Sequence, residues 1–255
     1  MILAIDAGNT DITFGTIEDG VIGTVARIHT ERDYTPEEYG IKIKSLLDYY
    51  GVDPRGFEGA ILASVVPPVT DVLRRAINRL TGLDCLVVGP GIRTGMNVRM
   101  DDPTTLAADL AVGRVAAINC YGAPAIILEF GTATSMVVVD ARSSYRGGVI
   151  MPGVRMGLQA LSSGTSLLPD VALTAPAKVI GTNTADAMRS GAVYATASMI
   201  DGMIGRMEEE LGCECTVVAT GQNAQEILAH CKRSIRYDEH LLLKGLWVLY
   251  RKNRT

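Results

Sequence analysis

The chain has 255 residues, 47% hydrophobic and only 5% aromatic, with 24 Lys and Arg against 28 Asp and Glu for a formal net charge of -4. That length suits one large domain or two of about 120 residues, built on an aliphatic core. The mild acidity gives no basic footprint for nucleic acid and nothing that suggests a membrane surface. Met1 opens directly onto Ile2-Leu3-Ala4-Ile5 and Asp6, without a basic leader or an apolar run of bilayer length, so the expected location is cytoplasmic. The five cysteines (Cys85, Cys120, Cys213, Cys215 and Cys231) lack zinc-site spacing and read as reduced thiols.

In chain order, residues 2–6 and 11–17 alternate with period two and carry β-branched side chains, which predicts a hairpin. Glu18-Asp19-Gly20 then turns into a third strand at 21–28. Thr35-Pro36-Glu37-Glu38 has the features of a helix start: a capping hydroxyl, proline at the first helical position and the capping-box acid. That helix is expected to reach about Tyr50, where Gly51 stops it. A strand at 60–66 ended by Pro67-Pro68, a helix over 69–80 and a strand at 85–88 complete the first half. Strands separated by helices pack as parallel neighbours through right-handed crossovers.

A longer helix from Asp102-Pro103-Thr104 to about Tyr121 brings Leu106, Leu110, Ala111, Val115 and Ile118 near one face. It leads into a second copy of the plan, with strands at 125–129, 135–140 and 147–151 and a helix from Pro152-Gly153 to about Leu161. The longest helical pattern runs from Asn183-Thr184 to about Leu211, followed by a strand at 215–219, a helix after Thr220-Gly221-Gln222 and a closing helix over 238–250. The same order of elements occurs twice, which predicts an α/β chain of two domains, 1–118 and 119–255, each a mixed sheet flanked by helices.

Each half opens on the same kind of stretch, Ile5-Asp6-Ala7-Gly8-Asn9-Thr10 in the first and Leu128-Glu129-Phe130-Gly131-Thr132-Ala133-Thr134 in the second. Glycine lets such a turn bring main-chain N–H groups close to a bound group, and the hydroxyl and amide side chains add donors. One copy reads as an ordinary hairpin. Two in corresponding settings favour a polyphosphate cradle, with the acid at the mouth of each turn able to hold a cation against it. His29, His230 and His240 are widely spaced and suit surface or helix-end positions, while Met188, Met199, Met203 and Met207 recur at helical spacing and suit a core or a subunit contact.

Duplicated α/β halves with an acid-Gly-Thr turn in each resemble the actin, sugar-kinase and acetate-kinase superfamily, whose domains are ribonuclease H-like and hold nucleotide in the cleft between the halves. The match is closer to one family. Asp6-x-Gly8-Asn9-Thr10 with Gly15, Ser64-Val65-Val66-Pro67-Pro68, Val88-Gly89-Pro90-Gly91 with Thr94-Gly95, Gly131-Thr132-Ala133-Thr134, Gly147-Gly148-x-Ile150-x-Pro152-Gly153, and Gly181-x-Asn183-Thr184 with Ser190-Gly191 together resemble type III pantothenate kinase. The resemblance implies transfer of the γ-phosphoryl group of ATP to the primary hydroxyl of pantothenate, the entry step to coenzyme A. It assigns the phosphates to Asp6, Gly8, Asn9 and Thr10 and to Gly131, Thr132, Ala133 and Thr134, with Asp6 also placing Mg²⁺ and Asp109 acting as base. Glu129 stands where the family has an aspartate that binds a monovalent cation, K⁺ or NH₄⁺. Thr184 matches a substrate-contacting threonine, although a plain helix cap fits it equally well. The family also implies a homodimer, with no nucleic-acid or membrane partner.

Departures gather where the resemblance puts the acceptor. Family Tyr-Asp-Asn-Pro is Met100-Asp101-Asp102-Pro103 here, Gly-x-Asp-Arg is Ala107-Ala108-Asp109-Leu110, Thr-Gly-Gly is Thr220-Gly221-Gln222, and Asp-Phe-Gly-Thr is Glu129-Phe130-Gly131-Thr132. Leu110 offers none of the planar donors with which an arginine grips a carboxylate. Arg99 and Arg155 are the nearest cations in sequence able to compensate. Two alternatives therefore stand beside the pantothenate reading at this level: a nucleotide-binding regulatory protein, and a kinase for another small hydroxyl compound.

Overall fold

The computed structural model describes residues 1–95, 97–98 and 107–254. The chain forms two compact units, the first made of Met1–Gly95, Asp102–Asn119 and His240–Thr255, the second of Met96–Asp101 and Cys120–Glu239. The five cysteines are free thiols.

In the first unit β1 (Ile2–Ala7), β2 (Asp11–Glu18) and β3 (Val21–His29) form the expected antiparallel meander. β4 (Gly59–Ser64) and β5 (Cys85–Val87) add in parallel, for a sheet of order β3-β2-β1-β4-β5. β1 lies between β2 and β4 and is covered on both faces, which is why it reads as a nearly continuous apolar run. Helix α1 (Pro36–Tyr49) begins as its sequence predicts: Thr35 accepts from the Glu38 N–H, and the Glu38 carboxylate accepts from the Thr35 N–H at 2.8 Å. The strand before α2 (Pro67–Thr81) ends at Ser64, two residues earlier than expected. Ser64 Oγ accepts the Val66 N–H at 3.1 Å and the Thr70 hydroxyl at 2.8 Å, and both prolines enter the first turn of α2, where a missing N–H costs nothing.

Of the helix expected from Asp102-Pro103-Thr104 to about Tyr121, residues 102–106 lie outside the described residues, Leu106 among them; α3 begins at Ala108 and ends at Tyr121. The last helix corrects the division at 118/119. It was expected over 238–250 within the second domain, yet α8 (Leu241–Asn253) belongs to the first unit. Its buried stripe of Leu241, Leu243, Leu246 and Leu249 needs an apolar surface, and Leu243 finds one at Gly15 of β2. Gly245 permits the closest approach, because a Cβ there would stand 2.2 Å from the carbonyl oxygen of Val112 in α3.

The second unit repeats the topology. β7 (Ala125–Phe130), β8 (Ala133–Val139) and β9 (Ser144–Pro152) run antiparallel, while β10 (Thr216–Thr220) and β11 (Arg236–Tyr237) add in parallel on the far side of β7. A short β6 (Asn97–Val98) joins the edge at β9, giving the order β11-β10-β7-β8-β9-β6. Each unit is a ribonuclease H-like mixed sheet flanked by helices. α4 (Val154–Gly164) follows Gly153, and the long helical pattern from Asn183 is broken in two. α5 (Thr184–Ser190) and α6 (Thr196–Leu211) are joined by a π-helical turn at Gly191–Ala195. α7 (Ala224–Leu228) is a short helix after Gly221. The closing helix starts later than expected because Arg236–Tyr237 pair with β10 and the Asp238 N–H bonds the Ala219 carbonyl at 2.8 Å.

If α8 seats on α3 through Gly245, Gly245→Ala forces a methyl into main chain that cannot retreat. Overpacking of this kind costs about 1–3 kcal/mol. A lower thermal unfolding midpoint is expected, and an unchanged midpoint would show that the two helices separate freely.

Candidate active site

The first turn is closed by the Gly8 N–H, which donates to the Asp11 carbonyl at 3.0 Å beyond the last ladder pair, Ala7 and Ile12. A Cβ on Gly8 would sit 3.2 Å from that same oxygen. Thr30, just past β3, fastens the turn from the side. Its hydroxyl donates to the Gly8 carbonyl at 2.7 Å and its N–H to the Thr10 carbonyl at 2.9 Å. Two acceptors that would repel an anion are thereby engaged, and the exposed residues of the turn are Asn9 and Thr10. Positive charge stands nearby, since Arg32 Nη2 donates to Asn9 Oδ1 at 3.2 Å and Arg27 Nε donates to Thr13 Oγ1 at 3.2 Å.

Asp6 precedes this turn. Leu3, Ile5 and Ala7 enter the main core of the unit, so by alternation Asp6 lies on the opposite face of β1. Burial pushes the Asp6 carboxyl from its ordinary 3.8 up to about 7, the negative charge of Asp109 adds to the rise, and Arg27 opposes it. Asp109 is raised as well, by burial, against the Leu110 N–H, which donates to its Oδ1 at 2.6 Å, and against the charge of Arg114. Two acids far apart in sequence thus lie in one unit, and the charge of one bears on the other. A negative charge near a buried carboxyl disfavours its ionisation, so Asp109 adds to the preference of Asp6 for its protonated form. Asp109 is therefore no acid on a solvated helix face.

The second turn differs in length. The ladder of β7 and β8 ends at Phe130 paired with Thr134, and the Gly131 N–H donates to the Ala133 carbonyl at 3.0 Å. The loop between β7 and β8 is Gly131-Thr132, whereas the loop between β1 and β2 is Gly8-Asn9-Thr10. Gly131, Thr132 and Ala133 are exposed, but Thr134 is buried within β8. Two glycines hold this turn in place. The Gly153 N–H donates to the Thr132 carbonyl at 3.1 Å, and a Cβ on Gly153 would lie 2.2 Å from that oxygen. Gly221 has φ +105°, and a Cβ there would come within 2.4 Å of the Phe130 carbonyl oxygen. Glu129, half-buried, pairs across the ladders with Ser135 and Thr220.

Of the expected acceptor residues, Ala107, Ala108 and Leu110 flank Asp109 at the start of α3, and Met100 lies outside the described residues. Thr184 is exposed at the first position of α5, but the cap is Asn183, whose Oδ1 accepts the Asp186 N–H at 2.9 Å. The capping explanation for Thr184 is therefore removed. Arg155 is engaged by Asn223 at 2.8 Å, and Arg99 lies outside the described residues.

The acid pair suits a divalent cation brought in with phosphate oxygens, since such ions take one or two carboxylates and share the rest of their shell with substrate. Among the described residues no group of three or more His, Cys, Asp or Glu is placed to hold a metal ion without such help. Sequence reasoning missed Arg27, Thr30, Arg32 and Arg114. The first three had a signal, because the meander sets residues 27–32 beside the first turn. Arg114, embedded in an apolar helix, had no pattern to mark it.

A family model described as type III pantothenate kinase matches residues 2–206. The type III pantothenate kinase of Bacillus cytotoxicus is 40% identical over 253 residues, covering 99% of this chain and 97% of that protein. Among solved structures, a Sinorhizobium meliloti protein assigned as a 2-dehydro-3-deoxygalactonokinase aligns with TM-score 0.59 at 12% identity, over 98% of this chain and 96% of that one. Component A of the Acidaminococcus fermentans (R)-2-hydroxyglutaryl-CoA dehydratase aligns with TM-score 0.56 at 12% identity, over 98% and 96%. These two likenesses concern the fold alone.

The raised Asp6 makes the nucleotide-free protein pH-sensitive. Unfolded, the carboxyl ionises near 3.8; folded, it stays protonated up to about 7. The folded state binds the extra proton in that window, so the contribution of Asp6 is full below 3.8, falls as pH rises and is lost above 7. Asp6→Asn cannot ionise. Urea unfolding at about pH 5 and about pH 8 should show it gaining stability over the parent chain at the higher pH. An equal difference at both values would mean that Asp6 ionises as freely as it does in water.

Proposed function

The chain belongs to the type III pantothenate kinase family, and from that premise we propose that it transfers the γ-phosphoryl group of ATP to the primary hydroxyl of pantothenate, giving 4'-phosphopantothenate and ADP. The observation that carries the reading is the family match along the chain, and it is supported by two buried acids, Asp6 and Asp109, in the unit that also presents the Gly8–Thr10 turn. Phosphoryl transfer asks a protein for positioning, charge neutralisation and a proton acceptor more than for covalent chemistry. Asp109 takes the proton of the attacking hydroxyl as its oxygen bonds to the γ-phosphorus, and the bond to the β-phosphate oxygen breaks to release ADP. A carboxyl raised toward the working pH is a better acceptor than an ordinary one.

The turns of Asp6, Gly8, Asn9 and Thr10 and of Gly131, Thr132 and Ala133 take the phosphates, while Thr134, buried in β8, supports the second turn from behind. Asp6 would hold Mg²⁺ together with phosphate oxygens, and the chemistry the ion would supply is charge neutralisation at the phosphates. Glu129 would hold a monovalent cation beside the second turn. Ala107, Ala108, Leu110 and Thr184 contact the acceptor. Met156, Leu161, Leu167, Ile180 and Met199 of the second unit are exposed apolar side chains, which suits a homodimer. No helix among the described residues is long and apolar enough to cross a membrane.

A coupled assay should show ADP release that depends on pantothenate; turnover indifferent to pantothenate would sink the reading. Asp109→Asn keeps the shape and removes the proton acceptor, so turnover should fall on the order of 10²–10⁴-fold with ATP binding nearly unchanged. Retention of most turnover would remove Asp109 from the mechanism. For Glu129, whose side chain is one methylene longer than aspartate, rates in potassium, ammonium and sodium salts at equal ionic strength should differ only mildly. Metal ligand distances hold within about 0.2 Å, so the added length loosens selectivity. Strict potassium dependence would show that the longer carboxylate rebuilds a tight site.

A further inference from the structure

The strand register of the first unit sets three polar side chains in one row. Asp6 of β1 pairs with Thr13 of β2, and Thr13 pairs in turn with Arg27 of β3. Residues paired directly across a ladder project to the same face, so the row lies on the face of the sheet opposite the core residues Leu3, Ile5, Ile12 and Phe14. Leu243 of α8 packs on this face at Gly15, two residues along β2 from Thr13. In the other direction β2 leads back to Thr10 of the first turn. The row therefore stands between a packed helix and the turn, with Asp6 and Thr13 half-buried and Arg27 exposed.

β3 is an edge strand, from which an arginine is free to turn outward into water. Arg27 turns inward instead. Its Nε donates to Thr13 Oγ1 at 3.2 Å, which lays the side chain back along the row toward β1. Among the described residues no carboxylate forms an ion pair with it, and the next acid on this face of β2, Asp11, pairs with His29 at 2.9 Å. Neighbouring strands lie about 5 Å apart, so the α-carbons of Asp6 and Arg27 are about 10 Å apart with the short side chain of Thr13 between them. An acid and a guanidinium set at the two ends of such a gap suit a ligand that carries a cation on one side and oxygens on the other, which describes a metal-bound phosphate.

We propose that Arg27 is a catalytic residue of the phosphoryl transfer, its guanidinium binding the oxygens of the transferred γ-phosphoryl group from the edge of the sheet, with Thr13 positioning it. The planar fork matches two phosphate oxygens at once. Charge spread over those oxygens in the transition state is what a cation in this place stabilises. Arg27 thus has a different task from Arg32, whose guanidinium serves Asn9 in the turn itself. The assignment rests on the kinase reading.

The test uses the full-length protein with Arg27→Gln, which removes the charge and the fork, and Arg27→Lys, which keeps only the charge. Calorimetric titrations with ADP and with a non-hydrolysable ATP analogue separate the transferred phosphate from the other two. Arg27→Gln should bind the analogue on the order of 10-fold more weakly than the parent chain and bind ADP about as well, since a hydrogen bond to a charged group is worth about 1.5–3 kcal/mol. Its kcat should fall on the order of 10³-fold, the lower end of what an arginine at a transferring phosphate supplies, and Arg27→Lys should lie in between. Arg27 is exposed, so the unfolding midpoint should stay that of the parent chain. Equal losses for ADP and the analogue would place Arg27 at other phosphates or in the fold, and unchanged kcat would leave it no part in the transfer; either result overturns the proposal. Turnover of the parent chain that ignores pantothenate would instead sink the acceptor assignment, and the comparison of ADP with the analogue would still decide the role of Arg27.

Discussion

Two carboxyls held in one partly buried place cannot both ionise cheaply, and the organisation of the first unit answers that constraint. Asp6 is fixed at the end of the most enclosed strand, between an antiparallel and a parallel neighbour, so its position cannot relax. Asp109 is fixed at the start of a helix whose following turns are wholly buried. The strain is electrostatic, and it is relieved in part by Arg27 and Arg114. Full relief calls for a further positive charge, which is what a nucleotide-bound divalent cation supplies.

Much of this could be read in the sequence because the signals were local. The capping box of Thr35 and Glu38, the period-two strands and the glycine turns each depend on a few adjacent residues, and each appears where its pattern lies. The duplicated topology was readable for the same reason, since two similar runs of local signals imply two similar sheets. What escaped was non-local. The return of α8 to the first unit depends on Gly15 and Gly245 meeting side and main chain far away in sequence, and a glycine in a helical pattern gives no warning of this. The π-helical turn at Gly191–Ala195 escaped because the apolar period continues through it. Arg114 escaped because helical position, not composition, decides whether an arginine is solvated. Leu110 drew notice as an absence, while the cation on the same face one turn later was overlooked.

The two acid-glycine turns look alike in sequence, yet their physics differs. In the first, three residues lie between the strands, and both kinds of group finish it: Thr30 ties the Gly8 carbonyl through its hydroxyl and the Thr10 carbonyl through its N–H, and the Arg32 side chain reaches Asn9. In the second, two residues lie between the strands and main chain finishes it, with Gly153 and Gly221 packed where no side chain could fit. The first turn can therefore adjust by rotamer changes, and the second cannot without moving two other segments.

That contrast bears on what each turn could do for a bound phosphate. The reaction needs some groups that hold geometry and others that exchange charge. A turn clamped by main-chain contacts loses little entropy when it binds, because it is already ordered, and so it is suited to fixing a phosphate in place. A turn accompanied by two acids and several arginines is suited to the region where charge moves, because protons and cations can redistribute there without displacing the backbone. The duplicated halves thus keep one topology while the residues around each turn specialise.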